Sequence, residues 1–396
     1  MEHDIAYGGD HGTMSKPKLR VAALCTECRP LSHADVILSR WLEPFPNDSL
    51  YGWTQPATRL TTIYAAQRHP QRDLIPAMQA RFGIVSYDSI EGALMQGGTD
   101  LAVDAVLLIA EHGDYPENEF GQKLYPRKEF FDEMMRVFER AGRSVPVFFD
   151  KHLSWNPDWI GEMHDRIKRD AVPFFGGSSL PFSMEGDLAQ VAEGTRFEEV
   201  VAVYYGGVES YLFHSAEMVE SVIERGSRQS GGIDEIMAWK GERVWEAVEN
   251  GDFSWELVEQ ACSACSDEAL EAIRGLRDRR DPSVNAFRLH YENGLIVTHF
   301  HQVESVRRWC LAGRVSDTGE MVAGAGNAGG AVHYFPHFAR LCRKIDDFFV
   351  TGQSPVPLER IYTTSMVTAL CLRALASTDG CLSTPELQGR AEFFNH

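Results

Sequence analysis

Apolar residues in the first part of the chain form short continuous runs separated by amphipathic segments. The runs have the length and composition of strands covered on both faces, and they lie at 19–25, 60–65, 84–86, 104–110 and 144–153. The segments at 32–41, 74–82 and from Ser89 onward have helical periodicity, and Ser32 is suited to cap the first of them. This alternation predicts a parallel sheet with right-handed crossovers, in a Rossmann-like α/β domain over residues 18–152.

The pattern changes after residue 152 to longer alternating strands with clear turn signals. Strands are predicted at 197–205, 287–291 and 295–300, with Asn293-Gly294 as a hairpin turn. Helices are predicted at 215–225, 256–276, 335–351 and 358–377. Residues 153–378 are therefore expected to form an α+β domain with an open, mainly antiparallel sheet. This leaves 1–17 as a flexible tail and 379–396 as a C-terminal tail.

The composition is that of an ordinary soluble protein. Of the 396 residues 44% are hydrophobic and 24% are charged, and no apolar run reaches the ~18 to 20 residues of a membrane span. The formal net charge of -19 disfavours nucleic acid and anionic membranes as partners, because their phosphates would be repelled. We expect a cytoplasmic protein that acts on a small molecule.

Eight cysteines include two close pairs, Cys25 with Cys28 and Cys262 with Cys265. A four-thiolate zinc site is one interpretation of such pairs, but neither pair lies in a small knuckle and the second lies in a helical segment. Scattered reduced thiols are the favoured interpretation.

The run at 144–153 brings an acid and a lysine, Asp150 and Lys151, to the carboxyl end of a predicted strand. Ligands of open α/β sheets bind at that edge. A lysine there can hold or protonate a substrate oxygen, and the alternative is a strand-end lysine that reaches solvent.

These features, taken in order, resemble the glucose-fructose oxidoreductase / inositol dehydrogenase / MocA family. The resemblance rests on the strand and helix order, on the segments 103–106 and 150–152, on His214 in a predicted helix, and on 346–352 followed by a helix. It implies a Rossmann domain that binds NAD(P) and a sheet domain that forms the substrate pocket and often the oligomer interface. On this resemblance we expect a homo-oligomeric NAD(P)-dependent oxidoreductase acting on a sugar, cyclitol or related polyhydroxylated molecule.

The resemblance also implies catalytic residues. The family's Glu-Lys-Pro motif corresponds to Asp150-Lys151-His152, so Asp150 and Lys151 are expected in the active site although the proline is absent. The family's aspartate and histidine after a Gly-Gly turn correspond to Ser210 and His214, so the histidine is kept and the aspartate is not. His214 is a candidate general base, and a packing histidine is the alternative. The candidate substrate-binding residues are His152, Trp155, Glu209 and Ser210.

The first turn departs from the family pattern. Residues 25–33 contain no glycine, although dinucleotide folds use glycines there to let the backbone approach the pyrophosphate. An acid for the adenosine ribose is absent from 64–68, where Arg68 would meet a 2′-phosphate or be solvated. NAD or NADP is therefore expected to bind weakly or in a shifted pose. The candidate cofactor contacts are Thr26, Arg29, Ser32, Glu111 and His112.

Two other classes of function stay open at this point. His299 and His301 would project from one face of a strand, which is a spacing that a divalent metal could use for hydrolysis, elimination or isomerisation without nicotinamide. Same-face histidines are also common at sheet surfaces and interfaces. A non-catalytic binding protein is the third possibility. Two Pro/Gly-rich insertions, 43–59 and 111–127, are lids or elaborations.

Overall fold

The structure is a computed structural model that describes residues 17–226, 232–326 and 334–388. The predicted tail at 1–17 lies almost wholly outside these ranges, as does 389–396 of the predicted C-terminal tail. The described chain forms two sheets with helices packed around them.

Six parallel strands form the first sheet. They are β1 (Arg20–Cys25), β2 (Arg59–Ala65), β3 (Val85–Tyr87), β4 (Ala105–Ile109), β5 (Val147–Asp150) and β6 (Phe174–Gly177). The helices of this part are α1 (His33–Leu42), α2 (Ile75–Phe82), α3 (Ile90–Met95), α4 (Arg127–Ala141) and α5 (Pro157–Arg169). The strand order is β3-β2-β1-β4-β5-β6, so the topology reverses between β1 and β4. The predicted Rossmann-like α/β architecture with a parallel sheet is confirmed, and the sheet continues past residue 152 because α5 and β6 complete it.

Eight strands form the second sheet. They are β7 (Met184–Gly186), β8 (Phe197–Tyr204), β9 (Ile233–Lys240), β10 (Asn285–Tyr291), β11 (Ile296–His301), β12 (Trp309–Val315), β13 (Met321–Gly326) and β14 (Cys381–Ser383). Their order is β14-β9-β10-β11-β8-β12-β13-β7. Every pairing is antiparallel except that of β8 with β11, which confirms the mainly antiparallel sheet. The predicted Asn293-Gly294 turn joins β10 to β11, and Gly294 takes the positive φ of 86° that such a turn requires.

Helices cover both faces of this sheet. The helices are α6 (Val208–Gly226), α7 (Glu242–Asn250), α8 (Trp255–Ser263), α9 (Asp267–Asp278), α10 (His337–Thr351) and α11 (Leu358–Ala376). Ala202 and Tyr204 of β8 face the core shared with α6 and α11, whereas Val201 and Val203 face α7, α8 and α9. Both faces of β8 carry apolar side chains, and helices cover both. α10 does not cover the second sheet but packs against α1, beside the first sheet.

Three sequence-based expectations need correction. The segment predicted as a C-terminal tail contributes β14, which pairs with β9. The helix predicted over 256–276 is two helices, because the Ser266 side chain accepts a hydrogen bond from the Ala269 amide and begins α9. Cys265 forms a disulfide with Cys310 instead of staying reduced, while Cys25, Cys28 and Cys262 are buried free thiols. None of the described helices combines the length and apolar character that a membrane crossing requires.

Candidate active site

A cleft of about 750 Å3 lies at the carboxyl edge of the parallel sheet, a size typical of small-molecule sites. Its walls come from the ends of β4 and β5, the beginnings of α1, α6 and α10, the insertion 111–127 and the residues before β12. The ionisable side chains that line it include His33, Glu111, His112, Arg127, Lys151, His152, Glu209, His214 and His337. The other insertion, 43–59, has a structural role: the Thr58 hydroxyl donates to Asp346 of α10 at 2.6 Å.

Lys151 is buried in this cleft and does not reach solvent at the strand end. Its backbone has a φ of 65°, a left-handed conformation that is uncommon for residues other than glycine. Its ammonium lies 3.0 Å from Glu111 Oε1 and donates to the Ser210 carbonyl oxygen at 3.5 Å. The turned backbone therefore directs the lysine into the cleft between β4 and α6.

Glu111 is the centre of a buried ionic network. Its second oxygen accepts from Arg127 Nη2, and Arg127 Nη1 lies 3.1 Å from His152 Nε2. Burial alone would raise the pKa of Glu111, but Lys151 and Arg127 hold that pKa well below its usual range. The carboxylate therefore stays ionised and fixes the lysine. Arg127 had no predicted role, because its place at the end of an insertion does not indicate what it contacts.

The partner of His214 is Ser178, which lies after β6, and not the residue at the position of the family's aspartate. Ser178 Oγ lies 2.6 Å from His214 Nδ1, and that oxygen also accepts from the Leu180 amide at 3.1 Å. Ser210, at the position of the family's aspartate, contacts Lys151 through its carbonyl. Burial, and Lys151 nearby, lower the pKa of His214 well below its usual value, so the imidazole is neutral in the cleft.

Two more predicted substrate contacts line the cleft, and one does not. Glu209 Oε2 accepts from the Lys123 amide at 3.0 Å, while Glu209 Oε1 lies 3.7 Å from His152 Nε2. Trp155 is not among the lining residues and packs against Trp159.

The sequence motif pairs Asp150 with Lys151, but the Asp150 carboxylate points toward α1 and does not contact the lysine. Asp150 Oδ2 accepts from His33 Nδ1 at 2.6 Å. Asp150 is almost completely buried, whereas His33 lines the cleft at the beginning of α1.

In the glycine-free turn after β1, the polar side chains bond to other groups of the protein. Thr26 Oγ1 donates to the Glu111 carbonyl at 2.7 Å, and Ser32 Oγ accepts the amides of Arg29 and Asp35, both at 3.2 Å. The Arg29 side chain pairs with Glu27 at 2.6 Å. Of the five predicted cofactor contacts only Glu111 and His112 line the cleft. Burial, and His33 beside it, lower the pKa of His112 to about 3, so this ring is neutral.

His299 and His301 share a face of β11 as predicted, but their ring nitrogens are engaged elsewhere. His299 Nδ1 lies 2.8 Å from Ser215 Oγ. His301 Nδ1 accepts from Asn285 at 2.9 Å and its Nε2 donates to the Gly206 carbonyl at 2.8 Å. In the described part of the chain no three His, Cys, Asp or Glu residues are arranged to hold a metal ion. His299 therefore links β11 to α6, and His301 links β11 to β10 and to the loop before α6.

Comparison with known proteins gives structural neighbours and no sequence relatives. No family model matches the chain, and no curated protein is similar to it in sequence. A scyllo-inositol dehydrogenase from Lactobacillus casei is similar in structure, with a TM-score of 0.58 at 9% identity over 93% of this chain and 99% of that one. A myo-inositol 2-dehydrogenase from Lactobacillus plantarum gives 0.57 at 10% identity, over 93% and 99%.

GenD2 from gentamicin A biosynthesis, solved in complex with NAD, gives a TM-score of 0.59 at 12% identity over 96% of this chain and 99% of that one. Another structure of the L. casei scyllo-inositol dehydrogenase contains NAD(H) and scyllo-inositol, at a TM-score of 0.57 and 8% identity. At these identities the similarity establishes the fold, and the chain has the two-domain fold of these proteins.

Proposed function

We propose that the protein is an NAD(P)-linked oxidoreductase that acts on a polyhydroxylated small molecule in the cleft. The observation that carries this proposal is the buried Lys151, turned into the cleft and fixed by Glu111, together with the neutral His214 that lines the same cleft. The neighbours solved with NAD or NAD(H), one of them also with scyllo-inositol, support the same chemistry.

The cleft has polar atoms that a polyol would satisfy. His152 Nδ1 and Glu209 Oε1 are buried, and neither has a hydrogen-bond partner among the described residues. Leaving such atoms unpaired costs free energy, about 1–3 kcal/mol each. Because Arg127 donates to His152 Nε2, the hydrogen of the neutral ring lies on Nδ1, so a hydroxyl oxygen of a sugar or cyclitol can accept from it. A hydroxyl group can also donate to Glu209 Oε1, so a polyhydroxylated ligand fits this wall better than an apolar one.

The residues present fit one part of a dinucleotide and not another. Glu111 and His112 follow the carboxyl end of β4 and line the cleft with Lys151, so these two residues would hold part of the dinucleotide. The turn at 26–32 does not fit a pyrophosphate in the usual way, because Ser32 and Asp35 already occupy its amides and Glu27 adds a negative charge. In the wild-type protein the turn therefore has no free group for a phosphate contact, because Glu27 also holds the Arg29 guanidinium.

In the proposed reaction, bound nicotinamide would supply hydride transfer. The Lys151 ammonium holds the substrate oxygen and stabilises the negative charge that develops on it. The reaction uses the tautomer in which His214 Nδ1–H donates to Ser178 Oγ, because Nε2 then has the lone pair that accepts the hydroxyl proton. Glu111 keeps Lys151 in place, and Glu209 and His152 orient the remaining hydroxyls.

Binding and turnover test this proposal together. Calorimetry with NAD and NADP, followed by an assay for reduced nicotinamide with a panel of inositols, hexoses and hexitols, should give binding of one dinucleotide and turnover of some members of the panel. Folded protein that binds neither dinucleotide and turns over none of the panel would contradict it.

A further inference from the structure

The proposed reaction does not involve the pair formed by His33 and Asp150. His33 is the first residue of α1, and its Nδ1 donates to Asp150 Oδ2 at 2.6 Å. The carboxylate is 2% exposed and the imidazole 15% exposed, so a buried acid orients a ring that borders the cleft. This is the arrangement by which a carboxylate fixes the tautomer of a histidine and stabilises its protonated form.

The surroundings of His33 limit what the ring can do. Its centroid lies 5.1 Å from that of Phe338, edge to face, and 5.3 Å from that of His112. With Nδ1 committed to Asp150, Nε2 is the nitrogen left to exchange a proton. Lys151 is bound to Glu111 instead of Asp150, so the adjacent acid and lysine serve different partners.

We propose that His33 is a second proton-transfer residue of the cleft and that Asp150 is its positioning residue. When the substrate alcohol is oxidised, the single hydroxyl proton that His214 accepts is passed on to His33 Nε2 and from there to solvent, so the step moves one proton out of the cleft and is not itself a redox step. Asp150 orients the ring through its contact with Nδ1. The cleft thus has one imidazole on each domain's wall, His33 and His214. The substrate class rests on the proposed function, but the dyad itself does not.

Chemical labelling tests the dyad without any assay of turnover. Diethyl pyrocarbonate acylates unprotonated imidazole nitrogens, and the labelled peptides can be quantified by mass spectrometry. Labelling is carried out at about pH 8, above the ordinary imidazole pKa of ~6.5, so that it reports the nucleophilicity of the ring nitrogen. We expect His33 to be labelled severalfold more slowly in Asp150→Asn than in the wild type, because loss of the carboxylate leaves Nε2 a weaker nucleophile and no longer fixes the tautomer. His290, paired with Asp234 at 3.3 Å and partly exposed outside the cleft, is the internal control and should be labelled equally in both proteins. Equal labelling of His33 in the two proteins would overturn the proposal.

Kinetics then separates a catalytic dyad from a structural one. On a polyol that the wild type turns over, His33→Ala should lower kcat by ~10²-fold with little change in KM, and added imidazole should restore part of it. His290→Ala is the matched control and should behave as the wild type. A loss that appears only in KM, without rescue by imidazole, would make His33 a binding residue and contradict the proposal. Slower labelling in Asp150→Asn without turnover of any polyol would count against the proposed function and leave the dyad standing.

Discussion

Lys151 combines an uncommon backbone conformation with a buried charge. A left-handed φ at a lysine is maintained only where the surroundings enforce it, and here Glu111 and the bridge between Lys151 and Gly177 do so. A residue whose only role was to end a strand would not need this conformation, and glycine would adopt it more readily.

Lys151→Ala should therefore reduce turnover by ~10²-fold or more while the protein stays folded, since a positioned charge and proton donor is lost. The measurement is kcat/KM on the best polyol of the panel, with circular dichroism to check the fold. Lys168→Ala, which removes an exposed lysine paired with Glu359, is the control and should retain activity. Near wild-type turnover of Lys151→Ala would remove the lysine from the mechanism.

The sequence indicated Lys151 and His214 because each lies in a local motif. The position of Ser178 after a likely strand suggested that it lines the pocket, but the sequence did not indicate its contact with His214, nor any role for Arg127 or His33. The partners of Arg127, Ser178 and His33 are 16, 36 and 117 residues away along the chain. Nothing in the local pattern determines which side chains meet across the fold. For the same reason the sequence paired Asp150 with its neighbour Lys151, whereas the strand end turns the two side chains apart.

The insertion 111–127 and helix α6 place charged side chains in the interior, which the pattern of polar residues did not predict. The insertion enters the cleft through Arg127, which is fully buried between Glu111 and His152. α6 carries carboxylates into the interior: Glu217 accepts from Thr364 at 2.8 Å and from the Ser178 amide at 3.0 Å, and Glu220 accepts from Tyr291 at 2.6 Å. Charged residues normally indicate a solvated face, so the pattern alone could not place them in the core.

Arg127→Met should destabilise the protein by ~3–5 kcal/mol, because it leaves the charge of Glu111 buried with one partner fewer. Denaturant unfolding measures the change in the free energy of unfolding. Arg140→Met removes an exposed arginine paired with Glu91 and should change stability by less than ~1 kcal/mol. Similar stabilities of the two variants would show that the insertion is not anchored by Arg127.

The buried carboxylates of α6 predict a pH dependence of stability. Burial raises the pKa of Glu217 to about 7 and that of Glu220 to about 8, although Arg360 opposes the shift of both and a Thr364 hydrogen bond opposes that of Glu217. In the unfolded chain both groups lose their protons near pH ~4.3. The unfolded state therefore releases protons first as the pH rises, so these groups lower the free energy of unfolding across about pH 4 to 8, by at most ~1.4 kcal/mol per pH unit for each group.

Glu220→Gln should remove one of these contributions. Relative to the wild type, the variant should gain stability as the pH is raised from about 5 to about 8, measured by denaturant unfolding at each pH. Glu246→Gln, at an exposed position of α7, is the control and should keep the pH profile of the wild type. A Glu220→Gln profile parallel to that of the wild type would show that this acid is already ionised in the folded protein.

The sequence predicted the two parts of the fold and their order along the chain, a parallel α/β part followed by a mainly antiparallel sheet. It did not predict the strand order of the second sheet, in which β8 lies between β11 and β12 and the C-terminal β14 forms an edge, because such pairings join distant segments. Homo-oligomerisation stays a prediction. Since α7, α8 and α9 cover the second face of the sheet, an oligomer would not bury that face directly.

Glu27 lies in the turn that faces a pyrophosphate in dinucleotide folds, and it holds Arg29, the residue that the sequence indicated as a phosphate contact. Glu27→Gln removes a negative charge and frees the guanidinium, so the affinity for NAD or NADP should rise by up to ~10-fold, because the variant replaces repulsion near the phosphates with attraction. Calorimetry measures the change, and Glu43→Gln at the other end of α1 should leave the affinity as it is in the wild type. Unchanged affinity in Glu27→Gln would mean that the pyrophosphate does not lie near this turn, so any bound dinucleotide would be held by contacts elsewhere, such as those of Glu111 and His112.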